Sequence, residues 1–338
     1  MSCIQRAPLP HQYYKKEVFR MAETTARTPQ APSNQVSPVK KQCRLALRRW
    51  QLYLMLLLPL IYIIIFNYIP MFGIQLAFKN YNARLGIWGS PWVGFKHFQN
   101  LFKSAMFGRL MYNTISLSLF GLIAGFFPPI ILAIAINETN YPKLRKVTQL
   151  ITYAPHFLSV VVVTSIVMQL LSGTGIVNTL IANAGGETIN FLGDPKKFKA
   201  IYIISGIWQG VGYDAIMYIA ALTAIPPELY EAATVDGASI WQRIWNVDIP
   251  SIMPTAIILL IMSTSKVLNV GFEKVYLLQN SLNQSSSEII STYVYKMGLV
   301  NTEYGFSTAV GLFQSVVSMI LLVFVNTISR KVTETSLW

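Results

Sequence analysis

What most constrains this chain is the recurrence of long apolar runs. They lie at about 50–69, 109–136, 147–171, 200–224, 252–270 and 306–328. About twenty apolar residues in a helix match the roughly 30 Å hydrocarbon core of a bilayer. Within that core each backbone N–H and C=O must be satisfied inside the protein, which leaves helices as the natural spanning element for such runs. Composition agrees: 53% of the residues are hydrophobic and only 12% charged, about half the charged share of a soluble domain. The expected fold is all-α, a polytopic membrane protein with six spans. The 338 residues leave no room for a large soluble domain.

Charge sets the expected orientation. Lys40, Lys41, Arg44, Arg48 and Arg49 precede the first run, Lys143, Arg145 and Lys146 follow the second, and Arg330 and Lys331 follow the sixth. Basic residues flank spans on the cytoplasmic side, so both termini and the loop between the fourth and fifth runs are expected inside the cell. Lys79, Arg84, Lys96 and Lys103 fall in the first outer loop, so the even number of spans carries the topology as much as charge does. The expected division is a disordered cytoplasmic tail over 1–45, a first span with an outer interfacial loop over 46–108, a helical membrane domain over 109–330 with a polar loop at 224–252, and a cytoplasmic tail over 331–338. Trp88, Trp92, Phe95, Phe98 and Phe102 would anchor the interfacial loop. The formal charge of +13 is concentrated in the N-terminal tail, which favours an anionic lipid surface over nucleic acid. Cys3 and Cys43, the only cysteines, imply no disulfide framework.

Several residues inside the runs call for a role. Gly121, Gly125, Pro128 and Pro129 interrupt the second; neighbouring helices can cover such a backbone, and glycines permit close packing. His156 follows Pro155 and is either proton-sensitive or bonded to a carbonyl freed at a kink. Asp214 lies deep in the fourth run. Facing lipid it would cost about 2.5–3.5 kcal/mol on insertion scales, so it should face the bundle interior or water. There it either lines a path or fixes packing; Lys266 is a candidate partner. Gln314 and Ser318, one turn apart in the sixth run, invite the same two readings. There is no Gly-x-x-x-x-Gly-Lys-Ser/Thr loop, no metal-ligand cluster and no nucleophile–base set. No catalytic residue, metal or cofactor is expected.

The most informative polar stretch is 226–250. Pro226 and Pro227 suit a helix start, Gly237 suits its stop, and Ser239 with Gln242 forms a capping box for a second helix. Ile240, Trp241, Ile244 and Trp245 give that helix an apolar face, and Pro250 and Pro254 are expected to end it and open the next span. Such a structured loop is functional or a surface connector; Arg243 alone is too little base for DNA.

Glu231-Ala232-Ala233, three residues, Gly237, nine residues, then Val247-Asp248-Ile249-Pro250 resembles the EAA loop of bacterial ABC importer permeases. Val247 and Ile249 stand where that pattern has Ile and Leu. The resemblance implies a coupling helix that docks on a cytoplasmic ATPase, with Glu231 anchoring the loop, Ala232 and Ala233 allowing close approach, and Asp236, Gly237 and Pro250 completing it. Asn67-Tyr-Ile-Pro-Met-Phe-Gly-Ile74, Gly89-Ser-Pro-Trp-Val-Gly-Phe95, Tyr153-Ala-Pro-His-Phe-Leu-Ser159 and Ser336-Leu-Trp338 look like the LplB-type branch of carbohydrate permeases, in the maltose-like group. That implies two ATP-binding subunits, a second homologous permease and an extracellular lipid-anchored solute-binding protein. The substrate class implied is an oligosaccharide; some members are associated with acidic plant or algal fragments. Trp208, Gln209, Tyr213, Asp214 and Gln314 are then the expected sugar path. The alternative is an ion-gradient-driven secondary transporter using Asp214 and His156, which would call for inverted repeats.

Overall fold

The computed structural model describes residues 50–264, 268 and 270–333. The expected tail, the basic cluster before Trp50, Lys266 and the closing Ser336-Leu337-Trp338 lie outside them. The chain divides into two compact units, Met1–Ile69 and Pro70–Trp338. The described part of the first is α1 (Trp50–Ile63), apolar all round and continued by a π turn over Ile64–Tyr68.

Five helical runs among the described residues are long and apolar enough to cross a membrane: Trp50–Phe78, Ala105–Asn137, Val160–Asn183, Ile240–Thr264 and Tyr304–Ile328. The run expected at 200–224 is also one helix, Pro195–Thr223, of 29 residues. Its lysines and its Gln209 and Asp214 make it more polar than the other five. Among the described residues there is no strand, only an isolated bridge between Lys79 and Trp92. In the second unit the helices used below are α2 (Lys96–Lys103), α3 (Ala105–Asn137), α4 (Pro142–Tyr153), α5 (Val160–Leu170), α6 (Ile176–Asn183), α7 (Pro195–Thr223), α8 (Pro227–Val235), α9 (Ile240–Arg243), α10 (Ile249–Thr264), α11 (Phe272–Leu278), α12 (Ile290–Tyr295) and α13 (Tyr304–Thr333).

Two expectations are corrected. The run at 147–171 is not one span. It breaks after α4 into a 3₁₀ turn, Ala154–Phe157, before α5 begins. Pro155 removes a backbone donor there, and Ser159 restarts the helix, its Oγ accepting from the Val162 N–H at 3.3 Å. The apolar run continues instead through α6. Pro250 and Pro254, conversely, end nothing. A π turn over Ile244–Asp248 joins α9 to α10, the Ile249 N–H donating to the Ile244 carbonyl, so the helix passes Pro250 without a break.

Three apolar clusters hold the second unit. One, of Ala133, Ala215, Tyr218, Leu222, Ile252 and neighbours, joins the C-terminal halves of α3 and α7 to α10. A second joins Leu117 and Phe198, near the other ends of α3 and α7, to α11. The third joins α2 and α3 to α12 and α13 through Leu101, Leu110, Ile290 and Val310. Between the first two clusters the side chains thin out. A Cβ added at Gly121 or Gly125 would meet nothing within 4 Å. Those glycines therefore line space, contrary to the expectation of close packing. Close approach occurs at Gly212, where a Cβ would sit 2.1 Å from the Thr152 carbonyl oxygen, so no larger residue fits.

Candidate functional site

The stretch expected to couple is two helices around a tight turn. α8 closes in a Schellman motif: the Ala238 N–H donates to the Ala233 carbonyl at 2.9 Å and the Gly237 N–H to Thr234 at 3.1 Å. Gly237 takes φ +72°, a left-handed conformation that costs other residues about 1–2 kcal/mol. α9 opens with the expected capping box: the Ser239 N–H donates to Gln242 Oε1 at 2.7 Å, and the Gln242 N–H to Ser239 Oγ at 3.4 Å. Glu231, Ala232, Asp236, Gly237 and Pro250 are exposed and Ala233 half-buried. Large apolar side chains stand out beside them, Val235 at 88% and Trp241 at 73% exposure, with Trp245 and Ile240. A clustered apolar surface of this kind marks a contact site.

Behind that surface the loop is tied to the end of α3. Arg145, on α4, caps α3, donating to the carbonyls of Ile136 at 3.1 Å and Asn137 at 2.7 Å. Arg243 Nη2 pairs with Glu138 Oε2 at 2.6 Å. Tyr230 donates to the wholly buried Asp248 at 2.5 Å and accepts from Asn137 at 3.4 Å. Burial, then the hydrogen bond to Asp248, holds the Tyr230 hydroxyl above its ordinary pKa, so it remains a neutral donor. Glu231, expected to anchor the loop, makes no ion pair among the described residues. The anchors within this chain are Tyr230, Asp248, Arg243 and Glu138. Sequence reading passed over them, although Asp248 and Tyr230 were visible as polar groups eighteen residues apart flanking one turn.

Between α3 and α7 lie two adjoining cavities of about 420 and 310 Å³. Gly121, Gly125, Pro129, Tyr202 and Asp214 line both. Tyr213 lines the larger, and Gln209 and Lys274 the smaller. Asp214 and Tyr213 are exposed on the open side.

The expected sugar path is thus only partly assembled. Tyr213, Asp214 and Gln209 share the α3–α7 space. Trp208 lines none of these cavities. Gln314 is buried on α13, donates to the Leu268 carbonyl at 2.5 Å and borders a separate cavity beside Tyr295 and Tyr304. Ser318 Oγ, one turn on, is buried with no hydrogen-bond partner among the described residues. His156 is not bonded to a carbonyl among the described residues. Its exposed ring stacks flat on Tyr213, centroids 3.8 Å apart and planes 2° apart. Beside the break the Leu158 carbonyl accepts from Gln209 at 3.2 Å.

Comparison with known proteins agrees with this architecture. Protein LplB of Bacillus subtilis is 43% identical over 291 residues, covering 86% of this chain and 91% of that protein. The polygalacturonan/rhamnogalacturonan transport system permease protein YteP of the same organism is 42% identical over 316 residues, covering 91% and 98%. Among solved structures, a bacterial ABC transporter involved in the import of the acidic polysaccharide alginate contains a chain that superposes with a TM-score of 0.80 at 41% identity, covering 87% of this chain and 99% of that one. Residues 129–334, which hold the coupling stretch and most of the cavity wall, match the model of the binding-protein-dependent transport system inner membrane components. This favours the binding-protein-dependent reading over the ion-gradient one. The chain is a multi-pass membrane protein and belongs to the binding-protein-dependent transport system inner membrane component family, the permeases of ABC importers.

Proposed function

We propose that this chain is a permease subunit of an ATP-driven importer that takes up an acidic oligosaccharide delivered by an extracellular, lipid-anchored solute-binding protein. It works with a second homologous permease and two cytoplasmic ATP-binding subunits. Having no phosphate-binding loop, it leaves ATP hydrolysis to those partners. Both termini and the α8–α9 turn face the cytoplasm.

The observation that carries this reading is the α8–Gly237–α9 turn, apolar and exposed on one side and bonded to α3 on the other. ATP-driven closure of the partner subunits would push on Glu231, Ala232, Ala233 and Asp236. Tyr230, Arg243, Asp248 and Glu138 would pass the movement to α3, which runs unbroken for 33 residues, about 50 Å, past the glycine-lined cavity. The cavity opens or closes because the ATP-bound partner favours one arrangement over the other. An acidic substrate is supported by the relatives named for polygalacturonan, rhamnogalacturonan and alginate.

The test is to purify the tagged chain in mild detergent, identify what copurifies and measure uptake in proteoliposomes. An ATPase, a second permease and ATP-dependent oligosaccharide uptake that Glu231→Lys abolishes are expected. A chain that purifies alone and moves solute under an ion gradient overturns the reading.

A further inference from the structure

One wall of the smaller cavity is unlike the rest. Lys274, on α11, is only 7% exposed, yet among the described residues its Nζ makes no hydrogen bond and no ion pair. Two other inward-turned lysines, Lys79 buried and Lys296 half-buried, are satisfied. Lys79, at 3% exposure, donates to the Ile87 carbonyl at 2.8 Å and lies over Trp92 at 5.0 Å. Lys296 pairs with Glu288 at 3.0 Å. Lys274 has only the Tyr202 ring, 5.3 Å from its centroid. A cation–π contact offsets little of what burying an ammonium costs.

The surroundings leave the ammonium facing space. The nearest atom to a Cβ built at Gly206 is Lys274 Nζ, at 3.5 Å, so that glycine's missing side chain leaves the approach to the ammonium open. Gly121 and Gly125 line the same space from α3. Asp214 and Tyr202 are the other titratable groups on this cavity. Burial pushes Lys274 down to about 8, which leaves it mostly protonated at neutral pH.

We propose that the smaller α3–α7 cavity is a subsite for one uronate unit of an acidic oligosaccharide, with the Lys274 ammonium pairing the sugar carboxylate. This rests on the importer reading above and adds to it the residue that reads substrate charge. One ammonium neutralises one carboxylate, and the charge-assisted hydrogen bond supplies the partner that Lys274 lacks. The hydroxyl-rich ring suits the remaining lining: a carboxylate at Asp214 accepts hydroxyl hydrogens, and in the adjoining larger cavity the Tyr213 face, backed by His156, offers a stacking plane for the next sugar unit.

The test uses the whole transporter, with binding protein at saturating concentration. The probes are an oligogalacturonate, an oligoalginate and the methyl ester of each, which removes the charge and keeps the sugar. Lys274→Met is expected to lower uptake of the acids about ten- to a hundredfold, the range lost with a hydrogen bond to a charged group, while ester uptake stays within about twofold of wild type. Lys274→Arg is expected to restore most acid uptake. Ester uptake also shows that the Met variant has folded and assembled. Acid uptake unchanged in Lys274→Met, or acid and ester falling together, overturns the assignment and leaves the importer standing. No ATP-driven uptake of any oligosaccharide by the wild type overturns the importer reading, and the assignment falls with it.

Discussion

Two of the buried charged residues are treated differently. Beneath the α8–α9 turn, Asp248 is wholly buried and bonded to Tyr230 through Oδ1, with Oδ2 unbonded among the described residues, next to the Glu138–Arg243 pair. On the smaller α3–α7 cavity, Lys274 is nearly as buried, and among the described residues its Nζ has the Tyr202 ring but no hydrogen bond and no ion pair. A buried charge that is held by its neighbours fixes a geometry. A buried charge left unpaired costs free energy in the resting protein, and a ligand that pairs with it regains that cost. The difference separates a joint, where contacts must persist through a movement, from a place that is filled and emptied.

Substitutions test that contrast. Asp248→Ala removes the acceptor of the Tyr230 hydroxyl and should cost about 3 kcal/mol, seen as a lower unfolding midpoint of the assembled transporter in detergent. Lys274→Met, which replaces an unpaired buried charge by an apolar chain of similar length, should be neutral or stabilising. If both destabilise alike, the contrast fails. Gly237→Val should cost about 1–2 kcal/mol by forcing a β-branched residue into the left-handed region, and, with the turn as the proposed contact surface, should reduce ATP-coupled uptake more than it reduces stability. Glu138→Gln, Arg243→Met and the double variant form a cycle; a coupling of about 1 kcal/mol in the unfolding midpoint is expected for a partly buried pair, and additivity would mean that the two do not tie the loop to α3.

Two further tests concern pH and stacking. Lys274 titrates near 8 when folded and near its ordinary value, roughly 10.4, when unfolded. Between those values the unfolded chain binds more protons, so stability should rise with pH through that window. Subtracting the profile of Lys274→Met removes the other lysines and tyrosines that titrate there. An identical slope in the two proteins would place the ammonium in water. Tyr213→Leu loses the His156 stack and should cost about 0.5–1 kcal/mol, read as a small fall in the unfolding midpoint.

Much of this architecture was legible in the sequence. The apolar runs gave an all-helical membrane protein because a bilayer leaves the backbone few other solutions. The capping residues Ser239 and Gln242 and the stop at Gly237 were readable because caps and left-handed turns depend on residues adjacent in sequence. The break at Pro155 was half legible: the proline signalled a kink, but whether the helix would bend or restart depended on whether Ser159 could cap a new one. Gly121, Gly125 and Gly212 look alike in a sequence. Only packing shows that the first two line a void while Gly212 lies against the Thr152 carbonyl.

The sequence by itself therefore determined the class, most of the segments and the two-helix turn at 226–250, since each follows from hydropathy, local caps or short spacing. The tertiary structure decided which polar groups meet. Asn137, Tyr230 and Asp248 come together from three elements, as do Glu138 and Arg243, 105 residues apart. It divided the five residues expected on one path, keeping Tyr213, Asp214 and Gln209 on the α3–α7 space and sending Trp208 and Gln314 elsewhere. It also brought in Lys274, which no local pattern marks. Whether a charge is paired or left facing a cavity is set by residues far apart in the chain, and so by the fold.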